Sequence, residues 1–218
     1  VKIVKDILDR YRENGWKDRI VIDVCSTKEQ ICQATRYHPC RSQFVSTHPM
    51  AGSESKGIAH SFSSMFEGSN FLICPIANTE EDIDSAKRLG QLLGAGKTSI
   101  ISVEQHDLYI AYLSQLPHAL AVSLMTSCED PKGFSSYSGN SFRELTRIAN
   151  INENMWAELF LENKEALVKV IDAFEEELSK LKESIEKEIT QKYLERFPQY
   201  KNSFQVFFCK SDDGARFV

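Results

Sequence analysis

Closely spaced cysteines are missing from this 218-residue chain: Cys25, Cys32, Cys40, Cys74, Cys128 and Cys209 are scattered, with no CxxC among them. That excludes the usual spacing of a zinc site or a disulfide framework, so the thiols read as reduced, mostly core residues, and no metal is expected. An excess of basic residues is missing too. The formal net charge is −5, the pI is near 5.6 and no cluster of Lys or Arg relieves it, so nucleic acid is not expected as a partner. No apolar run approaches a membrane span, and the opening residues VKIVKDILDRYRENG form an amphipathic helix pattern without a signal-peptide layout. The expectation is a cytoplasmic protein with no membrane contact. Glycine patterning is also thin: none of the ten glycines makes GxGxxG, the loop that opens a dinucleotide-binding sheet. GAGKTS (Gly94 to Ser99) resembles a phosphate-binding loop, but Gln91 stands where that motif demands glycine and the segment follows a helix, so this reading is rejected.

What is present in the first half alternates helix and strand. Ile3, Ile7, Leu8 and Tyr11 fall at helical spacing over Val1 to Asn14, and Gly15 stops that helix. IVIDV (Ile20 to Val24) is the nearly continuous apolar run of a strand covered on both faces. In the following CSTKEQI, Ser26 and Glu29 stand three apart, the spacing of a capping box. Ser26 is therefore either a helix cap or, at a strand-to-helix junction, a residue of the ligand crevice. QFVST (Gln43 to Thr47) is a second strand and runs into the loop HPMAGSESKG, His48 to Gly57. At the carboxyl end of a strand His48 faces the crevice of an open α/β sheet, as a general base or as a hydrogen-bonded turn residue. A short helix within SFSSMFEGS, a strand from Asn70 to Ile76, a helix capped by Thr79 and ended at Gly94, and a strand TSIISV from Thr98 to Val103 complete the region. This alternation predicts a parallel sheet.

From Glu104 the pattern is helical only. EQHDLYIAYLSQLPHALAVSLMTSC is apolar nearly all round, which predicts a helix buried between partners and bent at Pro117, with His106 before the bend and His118 after it. Each histidine is either a hydrogen-bonded core residue or a ligand contact. FRELTRIANINENMW brings Arg143, Glu144, Arg147 and Trp156 into one cluster, where a buried Arg147 would require an anion. One long helix is predicted from about Glu153 to Ile189, on the order of 50 Å at 1.5 Å per residue. Its heptad seam of Leu167, Ile171, Phe174, Leu178, Leu181 and Ile185 calls for a second subunit to cover it. The Phe-rich tail after Arg196 carries no chemistry that can be derived.

Together, DVCSTK, HPMAGSESKG, the His106–Asp107 pair, LPHA (Leu116 to Ala119), FRELTRIA and the Met155–Trp156 pair resemble the prephenate dehydrogenase family, including its arogenate-using relatives, in order and approximate spacing. The resemblance implies α/β followed by all-α: the carboxyl-terminal part of a Rossmann-type parallel sheet over residues 1–103, then a helical substrate-binding and dimerisation domain of the 6-phosphogluconate dehydrogenase type over 104–218. It implies oxidative decarboxylation of prephenate or arogenate with NAD or NADP. By this likeness His48 is the base that takes the ring hydroxyl's proton, at an unperturbed pKa near 6.5, and Ser26 orients it. Arg147 holds a substrate carboxylate, and His118 and Trp156 line the pocket. Ser53 and Glu54, with Arg143 and Glu144 from the same or the other subunit, match the pocket mouth, while Ser26 and Asp23 belong to a partial cofactor site. A homodimer through the carboxyl-terminal helices is implied.

The sequence departs from the common pattern at Gln115, where many members carry His, and at Glu144, often Asp. The larger departure is that the family's glycine loop and ribose-reading acid have no counterpart before Ile20. The cofactor site is therefore expected to be incomplete, and this polypeptide alone is expected to bind neither NAD nor NADP. The chain then reads as a piece of a working enzyme, with an inactive dimerising or ligand-sensing protein and a related hydroxyacid dehydrogenase as the other readings.

Overall fold

The structure, a computed structural model, describes residues 2–52, 57–127 and 133–201. Ser53, Glu54, Cys128, Cys209 and most of the tail lie outside the described residues. The chain divides into two compact units, Val1–Val170 and Ile171–Val218. Every residue of the sheet and of the cavities discussed below belongs to the first.

Among the described residues four strands form one sheet in the order β1 (Val21–Ile22), β2 (Phe44–Pro49), β3 (Asn70–Cys74), β4 (Lys97–Ile100). β2 is buried at all six positions, and its successive side chains serve two different cores, as strand alternation requires. Phe44 packs with Val4 and Leu8 of α1 (Lys2–Glu13) and with Ile31 and Cys32 of α2 (Glu29–Thr35). Val45 packs with Phe71, Ile73 and Ala86, the last from α3 (Glu80–Leu92). α3 lies close to the sheet because Gly90 carries no Cβ: one added there would come within 3.0 Å of Thr98 Cγ2 and 3.1 Å of Phe71. The capping box of Thr79 and Asp82 starts this helix, and Gly94 at φ 83° follows its end.

The sheet is mixed, which corrects the parallel expectation. β1 with β2 and β3 with β4 are parallel, each pair joined through a helix, α2 or α3, but β2 and β3 are antiparallel with His48 opposite Leu72. A parallel return needs a crossover element. The described residues between β2 and β3 hold only a 3-10 turn, Ile58–His60, and the short helix expected in SFSSMFEGS is a series of turns. His48 is accordingly the fifth residue of β2 and not the first of a loop. The first and last strands are shorter than expected, two residues in β1 and four in β4.

The helical part begins with α4 (Val103–Ile110), passes through a π-helical turn at Ala111–Gln115 and continues as α5 (Leu116–Thr126). Pro117, in the first turn of α5, has no N–H to offer the preceding turn, and the widened π turn accommodates that loss. By length and composition Val103–Thr126, of mean hydropathy 1.2, could cross a membrane, contrary to the expectation that no such run exists. Its buried His106, Asp107 and Gln115 instead make hydrogen bonds inside the protein. The helix is not covered all round, since Tyr109, Tyr112 and Leu113 are at least half exposed. α6 (Phe134–Tyr137) and α7 (Asn140–Thr146) lead into a 3-10 turn at Arg147–Ala149 that packs on α5. The single long helix is in fact two, α8 (Glu153–Glu162) and α9 (Lys164–Arg196), parted at Asn163, whose side chain is drawn to the Asp107 carbonyl and Gln115 Oε1, both at 2.8 Å. On α9, Leu178, Leu181, Ile185 and Ile189 are exposed.

A buried ion pair holds the carboxyl ends of β1 and β2 together. Lys28, with no exposed surface, donates from Nζ to Asp23 Oδ2 and to the Thr47 carbonyl, both at 2.6 Å. Asp23 also accepts from Ser46 Oγ, the Thr47 N–H and the Cys25 N–H, so its oxygens are fully used. Asp23, expected at the cofactor, thus has its carboxylate turned inward and builds the crevice from beneath. Lys28→Met would strand that carboxylate and is expected to lower the unfolding free energy by about 3–5 kcal/mol, read as a lower urea midpoint at unchanged slope. An unshifted midpoint would mean that the hydroxyl and backbone donors alone satisfy Asp23.

Candidate active site

The end of β2, the start of α2 and the first turn of α4 converge on one point, and Asp107 joins them. Its carboxylate accepts from the Lys28 N–H at 2.9 Å (Oδ1) and 3.1 Å (Oδ2) and from the Glu29 N–H at 2.8 Å (Oδ2). This is an N-terminal cap supplied from a different element, where a negative charge also meets the positive end of the helix dipole. The capping box expected of Ser26 and Glu29 is therefore corrected: the N-cap position is Lys28, and the orphan N–H groups go to Asp107. Ser26, released from capping, lines the cavity beside His48.

The same carboxylate receives His106. His106 Nδ1 lies 2.7 Å from Asp107 Oδ1, and His106 Nε2 lies 2.9 Å from His48 Nδ1. The row His48–His106–Asp107 is buried throughout; His106 has no exposed surface and His48 is 8% exposed. Burial, reinforced by the neighbouring His106 and then by Lys28, lowers the His48 pKa to about 3, far from the expected 6.5. Its ring is neutral at physiological pH. Burial likewise pushes the thiols of Cys32 and Cys74 up to about 12 and raises that of Cys25, which makes them poor nucleophiles.

His48 opens onto a cavity of about 490 Å³ whose walls include Ser26, Met50, Gln115, His118 and Trp156. His118 stacks on Trp156 with ring centroids 3.8 Å apart, and its Nδ1 is fixed 2.8 Å from the Ser114 carbonyl in the π turn. Gln115 is held from behind, donating to the Leu159 carbonyl at 3.0 Å. Four residues expected in the site, His48, Ser26, His118 and Trp156, thus share one cavity. Arg147, Arg143 and Glu144 do not: they line a second cavity with Asn140 and Thr146, and Arg147 is exposed, not buried. The expected single cluster with Trp156 is corrected, because the turn Arg147–Ala149 presents Ile148 to the first cavity and Arg147 to the other. Ser53 and Glu54 lie outside the described residues. His106, Asp107, Gln115 and Asn163 had no assigned role; the adjacent His and Asp at the start of an apolar helix were the available signal.

The family model described as prephenate dehydrogenase, nucleotide-binding domain, matches residues 1–98, and the one described as prephenate dehydrogenase, dimerization domain, matches residues 102–199. The chain belongs to the prephenate dehydrogenase family. It is 28% identical over 204 residues to the prephenate dehydrogenase of Bacillus subtilis, covering 90% of this chain and 54% of that protein. It is 31% identical to the cyclohexadienyl dehydrogenase of Zymomonas mobilis, covering 84% of this chain and 64% of that one. The chain thus spans between about half and two thirds of the length of these curated relatives. Among solved structures, prephenate dehydrogenase from A. aeolicus in complex with hydroxyphenyl propionate and NAD+ superposes with a TM-score of 0.74 at 29% identity, covering 92% of this chain and 71% of that one. Synechocystis arogenate dehydrogenase, at 22% identity and a TM-score of 0.68 over 84% of this chain and 67% of that one, shares the fold.

The depressed His48 pKa has a measurable consequence. Between about pH 6.5 and about pH 3 the unfolded chain protonates this ring while the folded chain does not. The unfolded state then binds more protons, so stability falls as pH is lowered through that window. His48→Asn is expected to flatten this part of the stability–pH curve, measured as urea midpoints across the range. Curves that stay parallel for parent and variant would show that His48 titrates normally in the folded chain.

Proposed function

We propose that this chain carries the substrate-side catalytic half of a dehydrogenase that oxidatively decarboxylates prephenate or its amino analogue arogenate. The observation that carries the proposal is one cavity holding a neutral, buried His48 with Ser26, His118 and Trp156 in a member of this family. His48 accepts the proton of the ring hydroxyl. Ser26, on the same wall, orients that hydroxyl. The stacked His118 and Trp156 form an aromatic wall against which a flat six-membered ring packs. Arg147, which lines the second cavity one residue before Ile148 of the first, is the proposed clamp for a substrate carboxylate.

The bond changes balance without a further reagent once NAD or NADP is present. The hydroxyl proton goes to His48 as the hydrogen on the same ring carbon leaves as hydride, giving a ring ketone. The ring carboxylate then departs as carbon dioxide, its bonding pair completing the aromatic ring as the ketone's π pair moves onto oxygen, and that phenolate oxygen takes the proton back from His48. A bound nicotinamide supplies the hydride acceptor. Among the described residues, Ser26 and the Met50–Gly52 stretch border the cavity and suit that end of a dinucleotide, while the amino terminus of α2 is already capped by Asp107 and so is closed to a pyrophosphate.

We further propose the division into a sheet-bearing part, 1–103, and a helical part, 104–218, with homodimerisation through the helices and a cytoplasmic location. The exposed apolar stripe Leu178, Leu181, Ile185 and Ile189 supports the dimer, since such a stripe is costly to leave in water.

In the intact enzyme, His48→Asn is expected to cut turnover by roughly two to four powers of ten with the Michaelis constant nearly unchanged, assayed with prephenate and arogenate against each cofactor. Near-normal turnover would remove His48 from the chemistry. Arg147→Ala, in the same assay, is expected to raise the Michaelis constant more than it lowers turnover, because a carboxylate clamp acts in ground and transition states alike. An unchanged Michaelis constant would exclude Arg147 as the clamp.

A further inference from the structure

The geometry points to Asp107 as a positioning residue of the cavity: acting through His106, it holds His48 as the Nδ1–H imidazole and leaves the Nε2 lone pair to face the substrate. This rests on the reading of His48 as proton acceptor and deepens it, since a buried neutral histidine is a base at one nitrogen only, and the tautomer decides which.

The assignment runs inward from the carboxylate. Asp107 is an acceptor, already engaged by the Lys28 and Glu29 N–H groups, so the His106 nitrogen 2.7 Å from it, Nδ1, carries a hydrogen. In neutral His106 the other nitrogen, Nε2, then holds a lone pair. His48 Nδ1, 2.9 Å away, must donate to it, and His48 Nε2 is left bare. No buried side-chain nitrogen or oxygen among the described residues lacks a partner, so the free ring edge of His48 is the part that reaches the cavity.

The competing arrangement has His106 protonated, donating from both nitrogens and reversing His48. It would put a cation with no exposed surface into a region that already contains the Lys28 ammonium, while the charge of Asp107 is already met by two backbone N–H groups at a helix terminus. The neutral chain is favoured on that ground. Since one carboxylate both caps α2 and orders the histidines, α2 and the segment bearing Ser26 cannot shift without disturbing the base.

Long-range proton–nitrogen correlation spectra of the nitrogen-15-labelled chain at neutral pH report which ring nitrogen of His48 carries hydrogen; the signals are assigned by their loss in His48→Asn. The expected result is a hydrogen on Nδ1 and none on Nε2. His106→Phe, which removes the acceptor but keeps a ring in place, is expected to turn His48 into a mostly Nε2–H species. Asp107→Asn, whose amide can offer His106 either an oxygen or an N–H, is expected to give a mixture of tautomers. Hydrogen on Nε2 in the parent chain, or a His48 tautomer unchanged in His106→Phe, would overturn the proposal, and neither reading depends on Asp107→Asn folding. In the intact enzyme, Asp107→Asn is expected to lower turnover roughly 10- to 1,000-fold with little change in the Michaelis constant; an equal loss in both would assign Asp107 to the fold alone. The spectra also separate this proposal from the reaction proposed above. An Nδ1–H His48 in an enzyme that turns over neither prephenate nor arogenate would refute the reaction and uphold the relay, and an Nε2–H His48 in an active enzyme would do the reverse.

Discussion

A carboxylate buried without donors is costly, and the fold answers that cost at Asp107 by bringing it two backbone N–H groups from the start of α2 and the imidazole of the adjacent His106. The consequences extend beyond the residue. The amino terminus of α2 cannot be satisfied locally because Ser26 lies too early, so the helix is complete only when α4 docks against it. Two further links run the same way: Thr27 Oγ1 donates to Glu162 at 2.6 Å, and Gln30 to the Glu162 carbonyl at 3.2 Å. Sheet and helices within the first unit are therefore joined by polar groups that each would leave unpaired alone. That arrangement favours one relative placement over sliding alternatives, because any slip exposes several unmet donors at once.

The crevice shows how one motif divides its labour. In DVCSTK, Asp23 and Lys28 form the buried pair that binds the ends of β1 and β2, while Ser26 between them is the residue turned outward to the cavity. The charged residues are structural and the neutral hydroxyl is the one at hand for a ligand. This inverts the usual guess that charge marks the ligand contact. It holds here because the strand ends meet at a point closed to water, where a carboxylate and an ammonium can exist only as partners.

What the sequence made legible follows from range. The helix over Lys2–Glu13 and the cap at Thr79 depend on neighbours within a few residues, and both stand where the pattern put them. The cap of α2 depends on a residue 79 positions away, so the local spacing of Ser26 and Glu29 suggested a cap that a stronger acceptor had taken. Strand direction was equally hidden: a strand buried on both faces has the same apolar run whichever way it points, and only the missing crossover between β2 and β3 decides. The break at Asn163 was invisible because asparagine within a helical pattern looks ordinary until its partners, Asp107 and Gln115, are in place. The motif singled out His48, and the structure places it on the cavity wall. Its lowered pKa could not be read there, since burial is a product of the assembled fold.

In the reaction proposed above, a base with so low a pKa looks ill suited to accept a proton, but the demand on it depends on what the donor becomes. An alcohol is a very weak acid at the outset, so a stronger base would gain little in the ground state. Once hydride begins to leave the same carbon, the oxygen takes on the character of a protonated ketone and its proton becomes strongly acidic. A neutral imidazole, never masked by protonation in the physiological range, then suffices, and its weakness in the free protein is a measure of how dry the site is. The same dryness strengthens the hydrogen bonds that link His48, His106 and Asp107, and in the proposed step the negative charge of Asp107 offsets part of the cost of the imidazolium as it forms. Burial alone would make His48 inert; in the proposed reaction, burial with a carboxylate two hydrogen bonds away lets its basicity rise as the transition state forms.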